Sequence, residues 1–193
     1  VIAIHGVPRS GTSWLAQIFN SHPDIKLKFQ PLFSYALKNE VDEHSKKLDI
    51  FAFYNKMWLN DIDLFLNFKD PIIHKNYPEF LKKKNPSNLV FKQVHHHYVL
   101  NNLLEQDENI RVILLIRNPL AVLSSWKNAP KEFNPEWDFS QEWRHAFLKN
   151  KDLKENYFER PVDFRLLQIN PIHHPKQNQQ YLKRLICGHR SHL

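Results

Sequence analysis

The chain has 193 residues and a formal net charge of +7, long enough for one domain with a sizeable core. A single cysteine, Cys187, excludes an intrachain disulfide, and no apolar stretch approaches the roughly 20 residues that a bilayer span needs. The basic balance suits anionic ligands; the Lys and Arg residues are scattered, which argues against a nucleic-acid surface.

In chain order, Val1-Ile2-Ala3-Ile4 opens a strand over 1–5, and a loop leads into a helix over 11–21. Trp14, Leu15, Ile18 and Phe19 share one face of that helix, and His22-Pro23 ends it. A short strand over 25–29 precedes Gln30-Pro31. Residues 41–68 read as helical and aromatic-rich, with Phe51, Tyr54, Met57, Trp58, Ile62, Phe65 and Leu66 as a packing face or the wall of a pocket. A helix from about Pro78 leads into Lys82-Lys83-Lys84, read as a solvated helix end. A strand over 88–94, a helix over 97–106, a strand over 110–116 and a helix over 119–127 follow. The apolar run Val112–Ile116 is long enough for a strand buried on both faces. Trp137 and Trp143 fall in a further helix over 136–149, a segment that could cap a bound ligand. The alternation of strands and helices predicts an α/β fold with a parallel sheet.

Two segments carry chemistry. Gly6-Val7-Pro8-Arg9-Ser10-Gly11-Thr12-Ser13-Trp14 has the G-x-x-x-x-G spacing of a phosphate loop, but Thr12 stands where a nucleotide triphosphatase has its lysine. The positive charge sits inside the loop instead, at Arg9. A strand, a glycine-framed loop and a helix N-terminus point backbone N–H groups at an anion. The bland alternative is a strand–turn–helix connection in which Gly6 and Gly11 only relieve backbone strain. The second segment is Arg117-Asn118-Pro119 at the carboxyl end of the fourth strand, where open α/β sheets bind ligands. Ser125 follows Arg117 by about two helical turns, so both reach one phosphate only if the chain folds back. That strand runs out into Arg117 where a Walker-B strand ends in an acid.

These residues carry a resemblance. Pro8-Arg9-Ser10-Gly11-Thr12-Ser13-Trp14-Leu15 resembles the 5′-phosphosulfate loop of the sulfotransferase family, and Arg117-Asn118-Pro119 with Ser125 resembles its 3′-phosphate motif. The likeness covers roughly residues 1–150. It implies a three-layer P-loop-kinase-like fold with a central parallel sheet flanked by helices. It also implies 3′-phosphoadenosine 5′-phosphosulfate (PAPS) as donor, and no metal. By this resemblance Arg9, Ser10, Gly11, Thr12, Ser13 and Trp14 hold the phosphosulfate, with Arg9 also catalytic, while Arg117 and Ser125 hold the 3′ phosphate. Planar guanidinium forks suit both anions.

The acceptor must lose a proton, so a general base is expected near the sulfate. Family members carry Lys-x-His at a strand end; here the run is Lys92-Gln93-Val94-His95, one residue longer. His95 is the expected base and Lys92 an aid at the bridging oxygen. Another branch uses a glutamate after the second strand, where this chain has Gln30, a neutral amide that can hydrogen-bond an acceptor but cannot take its proton. Gln30, Phe33 and His97 are the expected acceptor contacts. Three consecutive histidines fan apart on a strand or helix, so His95-His96-His97 is not read as a metal site.

Residues 1–150 are expected to form the PAPS-binding domain, and 151–193 a divergent or truncated segment of it, where prolines and Gln177-Asn178-Gln179-Gln180 interrupt the periodicity. The chain starts at Val1, inside the first strand, and reads as a fragment. Localisation is cytoplasmic by default, with an N-terminal anchor or signal left open. The expected partner is a small-molecule or glycan acceptor, a glycan or glycolipid being favoured over a small phenol; oligomeric state is left open. Two alternatives stand beside sulfuryl transfer: a P-loop kinase with a relocated lysine, Lys92, and a catalytically degenerate nucleotide-binding protein.

Overall fold

A computed structural model describes residues 1–34, 36–69, 71, 77–129 and 135–140. Four strands, β1 (Ile2–His5), β2 (Ile25–Phe29), β3 (Asn88–Gln93) and β4 (Arg111–Leu114), form one sheet in the order β2-β3-β1-β4. All pairings are parallel. The register sets Ile2 to His5 beside Val90 to Gln93 on one side and Arg111 to Leu114 on the other. The helices are α1 (Thr12–Asn20), α2 (Lys47–Leu59), α3 (Leu100–Gln106) and α4 (Pro119–Lys127). Short 3₁₀ turns occupy Pro31–Phe33 and His97–Val99. The expected α/β architecture with a parallel sheet between helical layers is present.

Alternation along the strands divides the core. Ile4, Val90, Ile25, Leu27 and Phe29 pack with Ala16 of α1 on one face. Ala3, Leu89 and Phe91 pack with Ile50, Phe53, Tyr54 and Met57 of α2 and Leu103 of α3 on the other. A third cluster of Val7, Val122 and Trp126 sits under α4, with Trp137 and Phe139 against it.

Several expectations need correction. On α1, the buried residues are Thr12 and Ala16, with Leu15 and Phe19 packed beside them, whereas Trp14 is 69% exposed and Ile18 47% exposed. Small side chains at 12 and 16 let the helix approach the sheet, and this turns the larger ones outward. In the 41–68 stretch only Lys47–Leu59 is helical; Ile50 and Phe53 are buried, while Phe51 and Ile62 are exposed. No helix starts at Pro78: residues 77–87 are irregular. Lys82 instead reaches the carbonyls of Asn20 and His22 at the end of α1, and Lys83 N donates to the Pro23 carbonyl. These carbonyls have no partner within a helix, so the lysine run serves as a cap rather than a solvated helix end. Strand β4 ends at Leu114, lies at the sheet edge among the described strands and is only half-buried, not covered on both faces. The helix expected over 136–149 is described only as far as residue 140, and Trp143 and the segment 151–193 lie outside the described residues. Among the described residues no helix is long and apolar enough to cross a membrane.

Lys28 departs from its pattern. Alternation in Ile25-Lys26-Leu27-Lys28-Phe29 suggests a solvated lysine face, yet Lys28 is completely buried. Its ammonium donates to the Asn60 carbonyl and Asn67 Oδ1, with Asp61 at 3.5 Å. Burial, followed by the nearby Lys26 charge, lowers its pKa to about 8.

His5 is also fully buried, and burial, then the His97 and His96 imidazoles, holds its pKa well below 6.5. An unfolded chain binds that proton more readily, so the neutral ring's contribution to stability is complete above pH 6.5 and is lost as the pH falls below it. Urea midpoints at about pH 7.5 and 5.5 should differ more for the parent protein than for His5→Leu. Equal differences would contradict a buried neutral His5.

Candidate active site

Because the strands are parallel, their carboxyl ends share one edge of the sheet. The loop 6–11, Gln30, the turn 94–97 and residues 115–118 leave from that edge. Three non-glycine residues there have positive φ: Arg9 at 70°, Gln30 at 39° and His96 at 59°. Such strain gathers where a backbone is held for a purpose.

The two loop glycines serve different needs. Gly11 takes φ 104° as the N-cap of α1, and a Cβ there would be strained. A Cβ on Gly6 would lie 2.7 Å from the Leu115 carbonyl oxygen, 2.7 Å from Ser10 Oγ and 2.9 Å from Thr12 Cγ2, so close approach demands glycine. The first turn of α1 has no side-chain cap, which leaves its amides without the usual partner. Thr12 is buried, Ser13 half-buried, and Ser10 Oγ is buried with no partner among the described residues.

Helix α4 fastens this loop from outside. Arg117 Nη1 donates to the Arg9 carbonyl at 2.9 Å, Trp126 Nε1 donates to the Pro8 carbonyl at 2.9 Å, and Arg9 Nε donates to Ser125 Oγ at 3.0 Å. Arg117 and Ser125 thus both contact Arg9, the first at its carbonyl and the second at its guanidinium. Local sequence explains the placement. Asn118 caps α4 by accepting from Leu120 N and Ala121 N, and Pro119 occupies the first helical position, where its missing N–H costs nothing. No carboxylate pairs with Arg9 or Arg117 among the described residues, so two cations stand together at an exposed mouth.

Across the edge, Lys92 is buried with its ammonium 4.2 Å from the Phe29 ring centroid. His95 is 9% exposed and stacks on Phe33 at 5.9 Å with planes 24° apart. Gln30 links β2 to β3 by donating its N–H to the Lys92 carbonyl at 2.7 Å, while its Oε1 is buried without a partner among the described residues. Both His97 ring nitrogens are engaged, Nε2 with the Val94 carbonyl at 3.1 Å and Nδ1 with His5 Nδ1 at 3.2 Å. Trp14 lines an open groove of about 470 Å³ with Gln17, Ile18, Ser21, Tyr77, Pro78 and Phe80. Among the described residues no three His, Cys, Asp or Glu side chains are grouped to hold a metal.

Sequence reasoning missed His5, Trp126 and Gly6's contact with Leu115. A histidine ending the apolar run Val1–Ile4 was a signal for the first; the other two depend on packing between distant segments.

This order of strands, with a glycine-framed loop leading from β1 into α1, defines a P-loop-like α/β protein. Residues 1–168 match the family model described as the sulfotransferase domain, and the chain belongs to that family. A curated relative is Nodulation protein NoeE of Sinorhizobium fredii (strain NBRC 101917 / NGR234), 29% identical over 126 residues. The alignment covers 64% of this chain and 30% of that protein, so the chain spans less than a third of the relative's length. No solved structure matches the chain significantly.

Gly6→Ala should destabilise the protein by about 1–3 kcal/mol, because backbone and loop atoms must move to admit the methyl group. Denaturant unfolding measures this; an unchanged midpoint would mean that the Leu115 contact is not tight.

Proposed function

We propose that this chain is the donor-binding part of a PAPS-dependent sulfotransferase that modifies a hydroxyl or amine. The observation that carries the reading is the meeting of the two distant motifs: Arg117 on the Arg9 carbonyl and Ser125 on the Arg9 guanidinium. The residues fit such a ligand. It has two anionic ends, and the mouth offers uncapped amides and two guanidiniums that no carboxylate pairs among the described residues, with the buried Ser10 hydroxyl, also without a partner among them, beneath.

When bound, the donor supplies an activated sulfuryl group. Arg9, the loop amides from Ser10 to Ser13 and the hydroxyls of Thr12 and Ser13 would hold its phosphosulfate. Arg117 and Ser125 would hold the 3′ phosphate, and Trp14 would lie against the nucleotide. In-line transfer needs positioning and charge stabilisation rather than a covalent intermediate. His95, an imidazole near the sheet edge, would take the proton from the acceptor, and its stacking on Phe33 fixes the ring plane. Lys92 would steady the departing oxygen. Gln30 and Phe33 would be the acceptor contacts, an amide and an aromatic wall, a pairing suited to a glycan or glycolipid.

The kinase alternative asks Lys92 to replace the phosphate-loop lysine. Its ammonium instead lies buried over Phe29, and the strand that would supply an acid for Mg²⁺ leads to Arg117.

Arg117→Ala should weaken adenosine 3′,5′-bisphosphate binding by about 1.5–3 kcal/mol and 5′-only analogues by clearly less, their smaller loss coming from the Arg9 carbonyl contact. Equal losses for both would sink the assignment of Arg117 to the 3′ end. His95→Ala should lower PAPS turnover by about a hundredfold with bisphosphate affinity nearly unchanged; undiminished turnover would move the base elsewhere.

A further inference from the structure

The phosphate-loop strand ends in a buried histidine that the chemistry above does not use. His5 is the last residue of β1 and directly precedes Gly6. Its ring meets Phe91 edge-on at 6.1 Å and lies 5.4 Å from the His97 ring, with the two Nδ1 atoms 3.2 Å apart.

The partners assign the protons. His97 Nε2 lies 3.1 Å from the Val94 carbonyl, which only accepts, so Nε2 carries hydrogen. A neutral His97 then offers Nδ1 as an acceptor, and His5 must donate from its own Nδ1. His5 Nε2 is left as a buried lone pair with no partner among the described residues. Burial and the neighbouring imidazoles of His97 and His96 keep the His5 ring neutral. The turn being held is strained, since His96 has φ 59°. Within it, His96 Nδ1 also meets Tyr98 OH at 3.1 Å.

We propose that His5 is a positioning residue: its Nδ1–H donates to the His97 Nδ1 that the Val94 carbonyl leaves as an acceptor, fixes the orientation of the His97 ring, and so locks the 94–97 turn that presents His95. The phosphate-loop strand and the candidate base are thereby tied by one hydrogen bond. The catalytic consequence rests on the reading of His95 as base. A phenylalanine or leucine could fill the space at position 5, but neither could donate to His97.

Nitrogen-15 histidine spectra of the full chain test the pairing without turnover. The expected result is an Nδ1–H tautomer for His5 and an Nε2–H tautomer for His97; the opposite tautomer at either ring overturns the proposal. This arm uses the unsubstituted protein, so it decides even if a variant fails to fold. A second arm compares His5→Leu, which removes the donor, with His5→Asn, whose amide nitrogen sits near the Nδ1 position. Bisphosphate release from PAPS, with a mixed glycan and phenol pool as acceptor, should fall about tenfold in His5→Leu and largely recover in His5→Asn. Bisphosphate affinity should hold in both. Equal turnover losses in the two variants, or an affinity loss matching the turnover loss, would mean a packing role and overturn the proposal. Undiminished turnover in His95→Ala would sink the base reading alone, whereas a wrong tautomer would sink the His5 pairing alone.

Discussion

Parallel pairing of four strands is the constraint on which the site depends. It sends every strand's carboxyl end to one edge, so residues far apart in sequence leave the sheet as neighbours. In the register, His5 stands beside Gln93 and Leu114, and Phe29 beside Lys92. The phosphate loop, Gln30, the histidine turn and Arg117 all begin within a few residues of these pairs. Backbone that leaves a buried sheet at such an edge must satisfy its polar groups locally. The positive-φ residues and the close contact at Gly6 are the local solutions.

Helix α4 then sets the shape of the loop. Three side chains of the Arg117–Trp126 segment bond to Pro8 or Arg9. A loop with a non-glycine residue at φ 70° needs such support, and the Trp126 bond is buried, where losing a partner costs most. The structural and functional readings of this segment are therefore compatible. Of the side chains that would meet a 3′ phosphate, Arg117 also holds the Arg9 backbone and Ser125 the Arg9 guanidinium, both of which belong to the loop that would meet a 5′ phosphosulfate. Arg9 and Arg117 have no carboxylate partner among the described residues, and anionic groups bound at this edge would offset the repulsion between the two charges.

Much of this was legible in the sequence. Strand β2 and helix α4 fall on the expected residues, and β1, β3, β4, α1 and α3 agree to within a few positions, because apolar runs and Pro or Gly boundaries are local signals; α2 is much shorter than the expected 41–68 stretch, and no helix starts at Pro78. The two motifs were visible for the same reason. What was not legible depends on packing between distant segments. Periodicity cannot tell which side of α1 meets the sheet, and Trp14 and Ile18 turned outward because Thr12 and Ala16 allow closer contact. The burial of Lys28 depends on the Asn60–Asn67 segment that covers it. The contact of His5 with His97 links residues from different strand ends, and no local pattern announces it.

Calorimetric titration with adenosine 3′,5′-bisphosphate in the absence of metal, run beside Mg-ATP, tests the central claim most directly. The account predicts dissociation constants of about a micromolar or tighter for the bisphosphate and clearly weaker binding of Mg-ATP. Binding of Mg-ATP alone would contradict it and favour a phosphate loop of the kinase kind.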